Sequence, residues 1–195
     1  MIAIASDHGG YALKEHIKAY LTAQGKSVKD FGTDSLASCA YPVFGRAAAE
    51  AVASGECETG IVICTTGIGI SITANKVKGI RCALVGDLMS AKLTRQHNNS
   101  NMLALGAGVT GPMLAEKIVD AFLSTEFEGG RHERRVNLMM EVENAGVLPP
   151  QSRSARQLPP MGRQVQMKNP AVITRRDFFA LYLHADVPFF GGNTG

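Results

Sequence analysis

Apolar residues along this chain follow two rhythms. Short runs end in glycine or polar turns: Ile2–Ser6, Ser27–Phe31, Gly60–Cys64, Arg81–Val85 and Met102–Leu105. Between them, apolar positions recur three and four apart, as at Leu13, Ile17, Tyr20 and Leu21 before Gly25. The alanine-rich residues 43–53 end at Gly55, and further helices are predicted near 71–76, from Leu88 to about Gln96, and over 112–124. A last helix is predicted in "GGRHERRVNLMMEVENAG", stopping at Gly146. Short bounded runs read as buried strands, and the longer period reads as helix. Strict alternation of the two predicts an α/β fold, a three-layer α/β/α Rossmann-like sandwich around a five-stranded parallel sheet. In such folds ligands sit beyond the carboxyl ends of the strands. That rule directs attention to "SDHGG", "CTTGIGIS" and "RQHNNSN".

The rhythm breaks after Gly146. "VLPPQSRSARQLPPMGRQ" is rich in Pro, Gln, Ser and Arg and reads as linker or extended arm. Residues 1–147 are therefore taken as the domain and 148–195 as a Pro/Arg-rich C-terminal extension. Phe178, Phe179, Leu181, Tyr182 and Leu183 within it suit one short helical turn that docks on something, such as a neighbouring subunit. A surface-draped extension is the equal alternative.

Charge narrows the function classes. Residues 151–195 carry six Lys/Arg against two Asp, so that segment is +4 and the rest is −1 of the net +3. Such a balance does not suit a nucleic-acid binder. No C-x-x-C or tight His/Cys cluster suggests a metal, so none is expected. No leader-like segment and no apolar run long enough to span a bilayer stand out, so no membrane partner and a cytoplasmic location are expected.

Several residues offer chemistry, each beside a plainer reading. Asp7 suits a helix N-cap, which leaves His8 harder to explain. The turn after Cys64 is either merely tight or a nest of N–H groups for an anion, from about Thr66 to Ser71. Such a nest would favour a cysteine thiolate as base or nucleophile, whereas buried structural cysteines are common. His97 and Asn98 either cap a helix end or face a ligand. Arg131 and Arg135, four apart on one face with His132 near and Arg134 turned away, form a solvated basic face or a phosphate clamp. Together these residues suit proton transfer on a small phosphorylated anion.

Five stretches carry a resemblance: "SDHGGYALK", "YP", "GIVICTTGIGISITANKVKGIR", "SAKLTRQHNNSNMLALGAGVTG" and "FEGGRHERRV". Over residues 1 to about 145 the chain resembles the type B ribose-5-phosphate isomerase family, which includes allose- and galactose-phosphate isomerases. The resemblance implies aldose–ketose isomerisation through a cis-enediolate, with no cofactor or metal. It implies Cys64 as the base and Thr66 with Gly67, Ile68, Gly69, Ile70 and Ser71 around the enediolate oxygens. It further implies that His97 opens the sugar ring with help from Asp7, that Asn98 and Tyr41 lie near substrate, and that His8, Arg131 and Arg135 bind phosphate. A homodimer or homotetramer with active sites shared between subunits is also implied.

The chain departs from that pattern at Ala40, where an acidic residue often precedes Tyr-Pro, and at Gly108, where many members carry an arginine. The extension lies beyond the usual family length. These departures bear on the sugar more than on the reaction: tetrose, pentose and hexose phosphates all stay open, with ribose 5-phosphate favoured. Two other readings are a non-catalytic sugar-phosphate-binding subunit and a flavin- or nucleotide-binding domain. The latter lacks an acidic ribose anchor at the expected distance.

Overall fold

In the computed structural model, which describes residues 1–144, five parallel strands form one sheet in the order β2-β1-β3-β5-β4. They are β1 (Ile2–Ser6), β2 (Val28–Asp30), β3 (Thr59–Cys64), β4 (Cys82–Leu84) and β5 (Met102–Gly106). The two outer strands are shorter than the sequence predicts, because only part of each run finds a ladder partner. The sandwich is thus as expected. The stop at Gly146 and the segment 148–195 lie outside the described residues.

Side chains alternate across the sheet, and the two faces differ in size. Ile2, Ile4, Ile61, Ile63, Leu103 and Leu105 point to α1 (Tyr11–Ala23) and α5 (Pro112–Ser124), where Ile17, Leu21, Ile118 and Phe122 meet them. Ala3, Ala5, Val62, Cys64 and Ala104 point to α2 (Tyr41–Ala53) and α3 (Ile68–Ala74). Small residues let this second layer come close. A Cβ on Gly45 of α2 would lie 2.7 Å from Ile70 Cγ1, so α2 and α3 pack almost backbone to side chain. Helix α4 (Leu88–Asn98) is capped by Asp87, whose carboxylate accepts the Ser90 N–H, and α6 (Arg131–Asn144) packs against α4. Among the described residues no helix is long and apolar enough to cross a membrane.

One buried cation pins the loop after β2. Lys14 is 1% exposed, and its Nζ donates to Asp30 Oδ2 and to the Thr33 carbonyl, both at 2.7 Å. Burial pushes the Asp30 carboxyl up, but hydrogen bonds from Lys14, Lys18 and the Gly32 N–H outweigh it and hold the group below the ordinary carboxylate range. A lowered folded value stabilises the fold above the unfolded pKa of about 3.9, and that contribution is lost as pH falls through the folded value.

Lys14→Met should therefore cost about 3 kcal/mol at pH 7, at the low end for a broken buried pair because Asp30 keeps Lys18. Urea titrations should show the gap to wild type narrowing below about pH 3.9. A gap that is absent at pH 7, or that does not narrow in acid, contradicts this role for Lys14.

Candidate active site

The carboxyl edge of the sheet gathers the loops that leave β1 and β3. Cys64 is the last residue of β3, 5% exposed, on the small-residue face. The chain then turns through Gly67 at φ +76°, where a Cβ would lie 2.4 Å from Leu84 Cδ1 and 2.9 Å from the Leu105 carbonyl oxygen. Only glycine fits both the left-handed backbone and the contact. The turn brings the Gly67 N–H onto Cys64 Sγ at 3.1 Å.

Helix α3 consequently starts at Ile68, three residues earlier than the sequence reading. Ser71 lies within it, buried, its hydroxyl donating to the Ile68 carbonyl at 2.8 Å. Thr66 Oγ1 accepts the Ile68 N–H at 3.3 Å, while the Gly69 and Ile70 N–H groups have no acceptor among the described residues. First-turn N–H groups of this kind are what an oxyanion needs. Tyr41, at the head of α2, lies over this turn: a Cβ on Gly69 would be 2.6 Å from its Cζ.

Asp7 and His8 occupy the neighbouring loop. Gly10 is the N-cap of α1, so Asp7 does not cap as the sequence suggested. Its Oδ1 instead closes the preceding turn by accepting the Gly10 N–H at 3.0 Å. The Cys39 N–H donates to His8 Nδ1 at 3.2 Å, so that nitrogen carries no proton and Nε2–H is the ring's donor in the neutral form. Cys39 is a partner the sequence did not reveal, because it reaches His8 through the irregular loop of residues 31–40, which Lys14 holds at Thr33. Gly108 sits on this edge too, its N–H donating to the Thr65 carbonyl at 2.8 Å.

Not all three expected segments share this edge. Asn101 accepts the Gly60 N–H through its carbonyl and the Arg81 N–H through Oδ1, which places "RQHNNSN" at the amino edge. The sheet register pairs Gly60 with Met102 and Cys64 with Gly106, so four residues, about 13 Å of strand, separate the two edges. This segment precedes its strand, and a segment before a parallel strand lies at the end opposite to the one the ligand-edge rule concerns.

The amino edge nevertheless holds its own cluster. His97 stacks on His132 with centroids 4.2 Å apart and planes 2° from parallel. Glu128 Oε2 lies 3.9 Å from His97 Nε2 and 3.6 Å from His132 Nε2. The Glu128 N–H donates to the Gln96 carbonyl, and Gly129 and Gly130, at φ +65° and +55°, turn the chain into α6. His97, Asn98, His132 and Arg135 line one cleft, with Arg131 beside it. Burial, then the His97 and Arg131 charges, push the His132 imidazole below its ordinary value. The sequence spacing gave no hint of the His97–Glu128–His132 group, whose ligand atoms lie within 4.8 Å of one another. Its members come from two helices and a loop.

Burial raises Cys57 and pushes Cys82 up to about 12, so both are neutral core filling.

The Ribose/Galactose Isomerase family profile matches residues 2–139. A putative sugar phosphate isomerase of Bacillus subtilis is 50% identical over 143 residues, covering 73% of this chain and 96% of that protein. Ribose-5-phosphate isomerase B of Escherichia coli is 48% identical over 142 residues, covering 73% and 95%. The solved ribose-5-phosphate isomerase B of Clostridium thermocellum superposes with a TM-score of 0.73 at 54% identity, covering 73% of this chain and 97% of that one. The chain belongs to the ribose/galactose isomerase family.

Gly67→Ala should destabilise the domain by about 3 kcal/mol, from left-handed strain plus overpacking against Leu84 and Leu105. Chemical denaturation checks this, and an unchanged midpoint would contradict the turn geometry.

Proposed function

We propose that this member of the family interconverts an aldose phosphate and its ketose phosphate, ribose 5-phosphate and ribulose 5-phosphate first among them, with Cys64 as the base. One observation carries the reading: a buried thiol at the end of β3, with the Gly67 N–H on its sulfur, sits at the head of a turn whose Gly69 and Ile70 N–H groups have no acceptor among the described residues. The names of the relatives at 48% and 50% identity support the substrate class.

In this reading the Cys64 thiolate takes the proton from C2 of the open-chain aldose. The released electron pair forms the C1–C2 double bond, and the carbonyl pair moves onto O1. The resulting oxyanion lies against Thr66 and the free Gly69 and Ile70 N–H groups of the Gly67–Ser71 turn, donors already in place before charge develops. Return of the proton to C1, with a proton passing from O2 to O1, completes the 2-ketose. Asp7 commits Oδ1 to Gly10 and offers Oδ2 to a sugar hydroxyl. Tyr41 and Asn98 border the substrate, and His97 moves the proton that opens the ring. His8 Nε2–H, Arg131 and Arg135 take the phosphate.

His97, Asn98, Arg131 and Arg135 stand about 13 Å of strand away from Cys64, so one chain does not assemble this set. The reading therefore includes a homo-oligomer in which one subunit's amino-edge cluster completes its partner's carboxyl-edge site. Gly108 sits tightly beside Thr65, where a Cβ would come to 3.1 Å from the Thr65 carbonyl oxygen. That contact favours no particular sugar, so allose, galactose and tetrose phosphates are the comparison substrates.

Cys64→Ala should lower turnover about 10³-fold while still binding sugar phosphate, the scale of a lost general base. Turnover near wild type would remove Cys64 from the chemistry. In the same assays wild type should show its highest kcat/KM with ribose 5-phosphate, and a higher value for a tetrose or hexose phosphate would reassign the substrate.

A further inference from the structure

Arg131 and His132 are neighbours at the start of α6, and the Arg131 Nε–H donates to His132 Nε2 at 3.2 Å. A guanidinium Nε is always a donor, so His132 Nε2 presents its lone pair and the ring is neutral, with its proton on Nδ1. That ring is fixed in place. It is 5% exposed and lies flat on His97. Arg131, by contrast, is exposed, and nothing else among the described residues is seen to hold its guanidinium.

We propose that His132 is a positioning residue: its lone pair, on a buried side chain, fixes Arg131 at Nε so that its two terminal nitrogens face outward as a ready fork for the substrate's phosphate. The proposal deepens the sugar-phosphate reading and rests on it. Arginine loses much rotamer freedom when it clamps an anion, and a side chain ordered beforehand loses less on binding. Holding the guanidinium at Nε leaves both terminal amino groups for bidentate contact.

The groups facing His132 agree with a neutral ring. They are His97 on α4, Glu128 in the connection before α6, and Arg131 and Arg135 on α6 itself. Burial, His97, Arg131 and Arg135 disfavour a second ring proton, and Glu128 alone favours it. The same donors are close enough for a divalent cation. With the His132 lone pair already engaged by Arg131, and Arg135 lining the same cleft, the arrangement suits an anion instead.

The test separates the ring's stack from its lone pair, using KM for ribose 5-phosphate and the inhibition constant of inorganic sulfate, a dianion that does not titrate near neutrality. His132→Phe keeps a flat ring and loses the acceptor, and both constants should rise about tenfold with kcat within about twofold. His132→Gln loses the stack and keeps an acceptor oxygen, and both constants should stay within about threefold of wild type. The double variant with Arg131→Ala should be no weaker than Arg131→Ala alone, because His132 acts through Arg131. His132→Leu replaces the phenylalanine variant should that one not fold. Wild-type constants in His132→Phe or His132→Leu, a tenfold rise in His132→Gln, or additive losses in the double variant would each overturn the proposal. If wild type itself converts no sugar phosphate, the reading of function fails instead, and sulfate binding still reports on the clamp.

Discussion

A parallel sheet has two unlike edges, and this protein divides its candidate site residues between them. Every strand here delivers its loop at the carboxyl edge, which collects Asp7, His8 and the turn after Cys64. The helices that follow the strands return the chain to the amino edge, which collects His97, Asn98 and, at the start of α6, His132 and its arginines. The ladder between β3 and β5 fixes the distance between the groups. A shared site is therefore a consequence of topology in the reading offered here. In that reading one chain holds the proposed base and anion nest, and another supplies the imidazole and guanidinium groups.

The carboxyl edge depends on packing some distance from the sulfur. Alanines on one face of β1 and β5 let α2 and α3 settle close to the sheet, and that closeness sets where α3 begins. The left-handed Gly67 then turns the first N–H of the loop onto Cys64. On the neighbouring loop, Lys14 pins Thr33, and the far end of the same loop presents the Cys39 N–H to His8. A buried lysine some residues from any substrate group thus bears on the tautomer of a proposed phosphate ligand.

Much of this could be read from the residues alone. Unbroken apolar runs bounded by glycine gave the inner strands, because both faces of those strands are covered. The outer strands were overextended, since hydrophobicity does not report where ladder pairing stops. The start of α3 was misplaced because Ser71 looks like a cap, whereas its hydroxyl bonds back to Ile68 inside the helix. The "RQHNNSN" segment lies on the amino edge, and its position before a strand is enough to place it there. The His97–His132 stack and its Glu128 partner were invisible, because contact between residues 97 and 132 exists only once α6 lies on α4.

The central claim is that the two edges act together across subunits, and mixing two inactive variants tests it most directly. Cys64→Ala disables one edge and His97→Ala the other, so each alone should be nearly inactive on ribose 5-phosphate. Unfolded together in equal amounts and refolded, they should recover about a quarter of wild-type activity, because random pairing reunites an intact Cys64 with an intact His97 in that share of sites. A refolded mixture no more active than its parents would contradict the account.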